Sequence, residues 1–113
     1  IHENYKERVA KAKDIDSQVT GRSTGHPIRV LRNQMTREYL KLEAEGATLD
    51  ELEHLTLGAL RKAVVDGDVK TGSVMAGQIA GLDSKRQTCR EIIEEMTTEA
   101  QHVIREKCRL LDI

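Results

Sequence analysis

The sequence predicts a mainly α-helical chain with at most two short strands. Three observations carry that reading. Apolar residues recur at steps of three and four through most of the chain. Two Thr-x-x-Glu capping boxes, Thr48–Glu51 and Thr88–Glu91, open helices. The densest turn chemistry gathers in one stretch, Gly21–Pro27 (GRSTGHP), which holds two glycines, two hydroxyl residues and the only proline.

The elements follow in order. Glu3 to Lys13 reads as a helix, with Tyr5, Val9 and Ala12 on one face and charges between them. Asp14 to Thr20 alternates weakly and is a short strand or an extended link. Gly21–Pro27 is a loop. Ile28–Leu31 (IRVL) is a short strand or the entry to a helix. Thr36 to Glu45 is helical, with Gly46 as its stop. Thr48 caps a short helix through about His54. Leu57 to Val65 reads as another, with Leu57, Leu60 and Val64 on its apolar face and Gly67 ending it. Thr71 to Leu82 (TGSVMAGQIAGL) is dense in small residues, which lets backbone approach something closely. Thr88 opens the longest element, an amphipathic helix to about Leu111.

Composition excludes several function classes. At 113 residues the chain is one domain's length. Basic and acidic residues number 18 and 19, so no global charge draws it to nucleic acid or anionic lipid. Tyr5 and Tyr39 are the only aromatics, too few for the stacking platforms of single-strand binders. No apolar run is long enough to span a membrane, and no signal segment opens the chain. Cys89 and Cys108 share one helix, ~28 Å apart along its axis, and cannot bridge within it. A reducing, cytoplasmic setting is the simplest expectation. The first residue is Ile1 rather than Met, as expected of a processed chain or a piece of a longer one.

Few residues point to chemistry. His2, His26, His54 and His102 have no metal-ligand spacing, so no metal site is expected. The carboxylates Glu43, Glu45, Glu94 and Glu95 sit among basic residues and read as solvated helix faces. Two stretches stand out. In Gly21–Arg29, His26 is a structural or solvated loop histidine, or part of a site whose wall also offers Ser23, Thr24 and Arg29. In Gly72–Gln78, small residues serve close helix packing, or they lay backbone against a flat ligand with Met75 and Gln78 beside it. The glycine intervals fit neither a dinucleotide fingerprint nor a P-loop.

Both stretches carry a resemblance. HENYKERVAKAKDID, TGRSTGHPIRVLRNQMTREYL and GALRKAVVDGDVKTGSVMAGQIAGL, in that order over about Ile1 to Leu82, resemble the C-terminal third of the FMN-dependent enoyl-acyl-carrier-protein reductases (type II). These belong to the nitronate monooxygenase, or 2-nitropropane dioxygenase, family. The resemblance implies the helical C-terminal portion of a TIM-barrel flavoenzyme whose barrel is absent from this chain. A chain of 113 residues is less than half the ~250 typical of that barrel. Residues 1–13 would be the last helix adjoining the barrel. Residues 14–82 would form a small site-shaping subdomain with loops 21–27 and 71–82, and residues 84–113 the C-terminal amphipathic helix.

The same resemblance implies the function. The whole enzyme would spend NAD(P)H, through FMN, on reducing an enoyl thioester carried by acyl carrier protein in fatty-acid synthesis. This chain would shape the site, with no catalytic residue of its own and no activity alone. Ser73, Met75, Ala76, Gly77 and Gln78 would flank the cofactor. Ser23, Thr24, His26 and Arg29 would line the substrate side, close to the cofactor segment. The MAGQ form of residues 75–78 favours the reductase over a nitronate monooxygenase. A free-standing helical dimerisation module is the competing reading outside the family. The partners expected are the missing barrel and a second copy of the chain. Self-association is expected because the Tyr5/Val9, Leu57/Leu60/Val64 and Ile92–Leu111 stripes would all lack the barrel.

Overall fold

The computed structural model describes residues 1–111, and two residues at the C-terminal end lie outside that description. The first helix, α1 (Glu3–Ala10), starts where the His2 Nδ1 accepts the Asn4 N–H at 3.1 Å. It stops three residues short of the expected Lys13. There the Asp16 carboxylate accepts the Lys13 N–H at 3.0 Å and turns the chain. Tyr5 and Ala12 are buried, and Val9 packs against the same cluster. The Tyr5/Val9 stripe, expected to lack cover without a barrel, is therefore covered by this chain itself.

Both doubtful segments are strands. β1 (Ser17–Thr20) pairs antiparallel with β2 (Ile28–Leu31), Ser17 opposite Leu31 and Thr20 opposite Ile28. The loop between them closes through Gly21, whose φ of +79° is left-handed. A Cβ there would meet the His26 carbonyl oxygen at 2.3 Å, and the His26 N–H donates back to the Gly21 carbonyl at 3.0 Å. Glycine is required on both counts. The far edge of β2 is occupied by Val74–Ala76. The Leu31 N–H donates to the Val74 carbonyl at 2.9 Å, and Val30 faces Met75 in an antiparallel bridge.

Next, α2 (Gln34–Ala44) begins earlier than the apolar spacing predicts, because Asn33 and Thr36 cap it reciprocally. α3 (Leu49–Thr56) has the predicted Thr48–Glu51 box. Its Leu52 joins Met35 and Tyr39 in one small core. A second core gathers Tyr5, Ala12, Leu31, Ala63, Val74 and Ala80.

α4 (Ala59–Val64) departs from the expected face. Leu57 lies outside it, as the C-cap of α3, and is 83% exposed; within α4, Ala59 and Ala63 are buried, Leu60 lies open to solvent, and Val64 packs half-buried on the core. Gly72 is the reason. A Cβ on it would meet the Ala63 nitrogen at 2.7 Å and the Ala59 oxygen at 2.9 Å. Only the alanine side of α4 can come so close to another backbone.

A 3-10 turn (Gln78–Leu82) leads to α5 (Cys89–Leu110), capped by the predicted Thr88–Glu91 box. α5 buries no residue. The chain is accordingly elongated, 59 × 30 × 19 Å, with a radius of gyration of 18.4 Å against the ~13 Å of a compact domain this size.

Candidate functional site

The site is built on β2. Its backbone carries β1 on one edge and Val74–Ala76 on the other, so both stretches singled out in the sequence hang from one four-residue strand. Val30, Leu31 and Val74 are buried to 2%, 0% and 0% exposure, and they hold this strand in place. The Ala76 N–H donates to the Arg29 carbonyl at 3.4 Å. Because Val74–Ala76 runs antiparallel to β2, Gly77 leaves the sheet at the Ile28 end. Loop 21–27 enters at that same end.

The residues expected to flank a cofactor divide by exposure. Ser73 is buried, and its N–H donates to the Ala59 carbonyl at 2.8 Å. Its place is inside, against α4. Met75, Gly77 and Gln78 are exposed, and Ala76 is half-buried. Met75 is fixed from behind by Tyr5, whose hydroxyl donates to the Met75 carbonyl at 2.6 Å. Burial pushes the Tyr5 phenol pKa up, which keeps that hydroxyl a donor.

Of the residues expected to line a substrate side, Ser23 is already engaged. Its N–H and hydroxyl both donate to Glu43 Oε1, at 2.9 and 2.8 Å. Burial raises the Glu43 pKa, but the hydrogen bonds from Ser23 and from the Gly21 N–H outweigh it and leave the carboxyl below its ordinary range. The loop is thus latched to α2 by an anion. The Thr24 hydroxyl donates to the Gly21 carbonyl at 3.1 Å. His26 is exposed. Arg29 is half-buried and donates from Nη1 to the Ser17 hydroxyl at 3.0 Å.

Sequence reasoning missed three residues. Glu43 read as a solvated helix face and is the loop's anchor. Glu95, read the same way, accepts from Lys85 at 2.5 Å and from Gln87. Tyr5 read only as core, and its hydroxyl holds the Gly72–Gln78 segment at Met75. Their partners lie 8 to 70 residues away in sequence, so no local pattern could have named them.

Beyond Gln78 an open groove of about 440 Å³ runs along the start of α5. Ile79, Leu82, Ile92 and Met96 give it an apolar lining, and Asp83, Lys85, Glu95 and Glu99 bring charges to it. Among the described residues no three His, Cys, Asp or Glu side chains cluster to hold a metal ion. No helix among them is long and apolar enough to cross a membrane.

Comparison with known proteins decides the family. The family model described as nitronate monooxygenase matches residues 1–99. The chain belongs to the nitronate monooxygenase family. That match runs through both strands, the Gly72–Gln78 segment and the first half of α5. Among solved structures the chain is similar to FabK from Thermotoga maritima, at 40% identity and a TM-score of 0.86. That match covers 96% of this chain and 34% of FabK. A methionine-to-alanine mutant of the same FabK matches at 37% identity and a TM-score of 0.74, with 96% and 31% covered. The chain therefore spans about a third of the length of these nitronate monooxygenase-family relatives, and it has the helical, two-stranded architecture of a portion of such an enzyme.

Proposed function

We propose that the chain is the C-terminal portion of an FMN- and NAD(P)H-dependent enoyl-acyl-carrier-protein reductase, and that it forms one wall of the flavin and acyl site. One observation carries the reading: Gly77 is a glycine that this chain does not need. Its φ of −72° and ψ of 169° suit any residue, and nothing lies within 4 Å of where its Cβ would be. Gly72, by contrast, is demanded by the backbone packed on it. A bare, exposed backbone at 77, flanked by the Gln78 amide, suits the flat face of a ring system resting on it. The residues present fit FMN in that sense. The likeness to FabK, a type II enoyl-acyl-carrier-protein reductase, favours that activity over nitronate oxidation within the family.

In this reading FMN, when bound, supplies the two-electron carrier between NAD(P)H and the enoyl thioester. The chain's own residues position and shield. Met75, Ala76, Gly77 and Gln78 border the cofactor, held from behind by Tyr5 and β2. Ser73 contributes through its backbone, which seats the segment on α4. Across the end of β2, Thr24, His26 and Arg29 line the substrate side, and Ser23 fixes their loop to Glu43. The partners are the barrel of the same polypeptide, an acyl carrier protein thioester and a second copy of the chain.

The test is Gly77→Leu in the barrel-bearing polypeptide. FMN affinity, read by flavin fluorescence quenching, is expected to fall at least ~10-fold, a loss of about 1.4 kcal/mol. The same substitution in the 113-residue chain should not lower its thermal unfolding temperature, since the side chain meets open space. Unaltered FMN affinity would remove the cofactor reading. Thioester-dependent oxidation of NAD(P)H, set against oxygen uptake with an alkyl nitronate, separates the two activities of the family.

A further inference from the structure

Loop 21–27 is closed on itself, and one residue ties it to the rest of the chain. Within the loop, the Gly21 carbonyl accepts from the His26 N–H at 3.0 Å and from the Thr24 hydroxyl at 3.1 Å. The Gly25 N–H donates to the Arg22 carbonyl at 3.3 Å. Among the described residues, every hydrogen bond that the loop makes beyond itself and its two strands goes to Glu43. The Ser23 N–H and hydroxyl share the Glu43 Oε1, and the Gly21 N–H donates to the same carboxylate.

Glu43 is a poor choice for α2 taken alone. It stands in the last turn of that helix, where the dipole favours a cation and opposes an anion. It is half-buried, and burial also works against a carboxylate. Among the described residues no Lys or Arg forms a salt bridge with it. Three uncharged donors of the loop hold the charge instead, in bonds that the charge strengthens. Glu43 belongs to neither core. A residue that breaks the rule of its own helix and meets no need of the core is explained by what it holds in place.

We propose that Glu43 is a positioning residue for substrate binding, which sets the loop bearing Thr24 and His26 and touches no substrate itself. This rests on the substrate-side reading proposed above. The link runs through Gly21. Its N–H is held by Glu43, and its carbonyl holds the His26 N–H and the Thr24 hydroxyl, so the two residues follow Gly21. Gly21 has no room to shift alone, since the His26 carbonyl oxygen lies 2.3 Å from where its Cβ would stand. Arg29 is placed separately, by the Ser17 hydroxyl, and does not depend on Glu43.

Steady-state kinetics of the FMN-loaded, barrel-bearing polypeptide test this, with crotonyl-coenzyme A as the enoyl thioester. Glu43→Ala should raise the thioester KM at least ~10-fold and change kcat by less than ~2-fold. Glu43→Gln keeps an acceptor oxygen at the same reach without the charge, so its KM should fall between the two. Glu45→Ala, at the exposed C-cap two residues on, should change neither constant. In the 113-residue chain, Glu43→Ala should speed hydrogen exchange at the Gly21 and Ser23 amides at least ~10-fold and shift Tm by less than ~3 °C. A role in stability alone gives the opposite pattern, a lowered Tm with an unmoved KM. Four results overturn the proposal: an unchanged thioester KM in Glu43→Ala, a kcat that falls as far as KM rises, amide exchange that does not quicken, or the same effect from Glu45→Ala. If the unaltered polypeptide oxidises an alkyl nitronate and leaves the thioester untouched, the reductase reading fails. The same KM ratio is then measured on the nitronate, so the two failures are told apart.

Discussion

Asn33 does three things with one side chain. Its Oδ1 accepts the Thr36 N–H at 2.9 Å and caps α2. Its Nδ2 donates to the Val69 carbonyl at 3.0 Å and to the Gly72 carbonyl at 2.7 Å. The residue that caps α2 thus also holds the chain entering the Gly72–Gln78 segment. Replacing it with Ala removes a cap worth about 1 kcal/mol and leaves two carbonyls without their donor. Asn33→Ala should destabilise the chain by about 2–3 kcal/mol, a fall in Tm of roughly 10 °C or more by calorimetry. A loss below about 1 kcal/mol would mean that water replaces the amide at both carbonyls. Asn33→Asp keeps the cap but sets a carboxylate oxygen against both carbonyls, so it should cost at least as much as Asn33→Ala.

Among elements, α4 and the Gly72–Gln78 segment illustrate how packing overrides pattern. Six residues of helix cannot bury both a leucine face and an alanine face. The alanine face wins because it permits backbone contact, which a side chain as large as Leu60 would block. Gly72→Ala should therefore be costly, as its Cβ would press on the Asp68 carbonyl at 2.4 Å as well as on α4. Backbone cannot yield as a side-chain tip can, so about 1–3 kcal/mol is expected from the denaturant midpoint. Gly77→Ala should cost nothing, and should gain up to about 1 kcal/mol by restricting the unfolded chain. Equal effects at the two positions would refute this division between a glycine used by the fold and one left for a ligand. Both glycines look alike in the sequence, and only their surroundings distinguish them.

For the molecule as a whole, the outcome is a body with two small cores and a helix standing away from it. The body covers the Tyr5/Val9 face expected to be bare, using Leu31, Ala63, Val74 and Ala80 in place of aromatic bulk. Its candidate site is correspondingly shallow: a strand end, an exposed backbone run and a latched loop. Nothing among the described residues forms a Gly-rich turn into a helix N-terminus to cradle a phosphate. The 113-residue chain should therefore bind FMN only weakly. Titration should show no dissociation constant below ~1 μM, a threshold near 8 kcal/mol of binding free energy. Tighter binding would show that this wall alone supplies most of the flavin's contacts.

The sequence by itself determined the local order of this protein. The capping boxes at Thr48 and Thr88, the loop at Gly21–Pro27 and the long amphipathic stripe of α5 each rest on residues within a few positions of one another, so local chemistry suffices to specify them. Its motifs over Ile1 to Leu82 also determined the family. Tertiary structure decided everything that depends on partners far along the chain. It made strands of residues 17–20 and 28–31, because only pairing with each other and with Val74–Ala76 satisfies their backbone. It turned α4 onto its alanines, engaged Ser23 with Glu43, fixed Met75 with Tyr5, and separated buried Ser73 from exposed Gly77. A hydrogen bond or a backbone contact across tens of residues leaves no periodicity to read, which is why the site's residue types were legible and its arrangement was not.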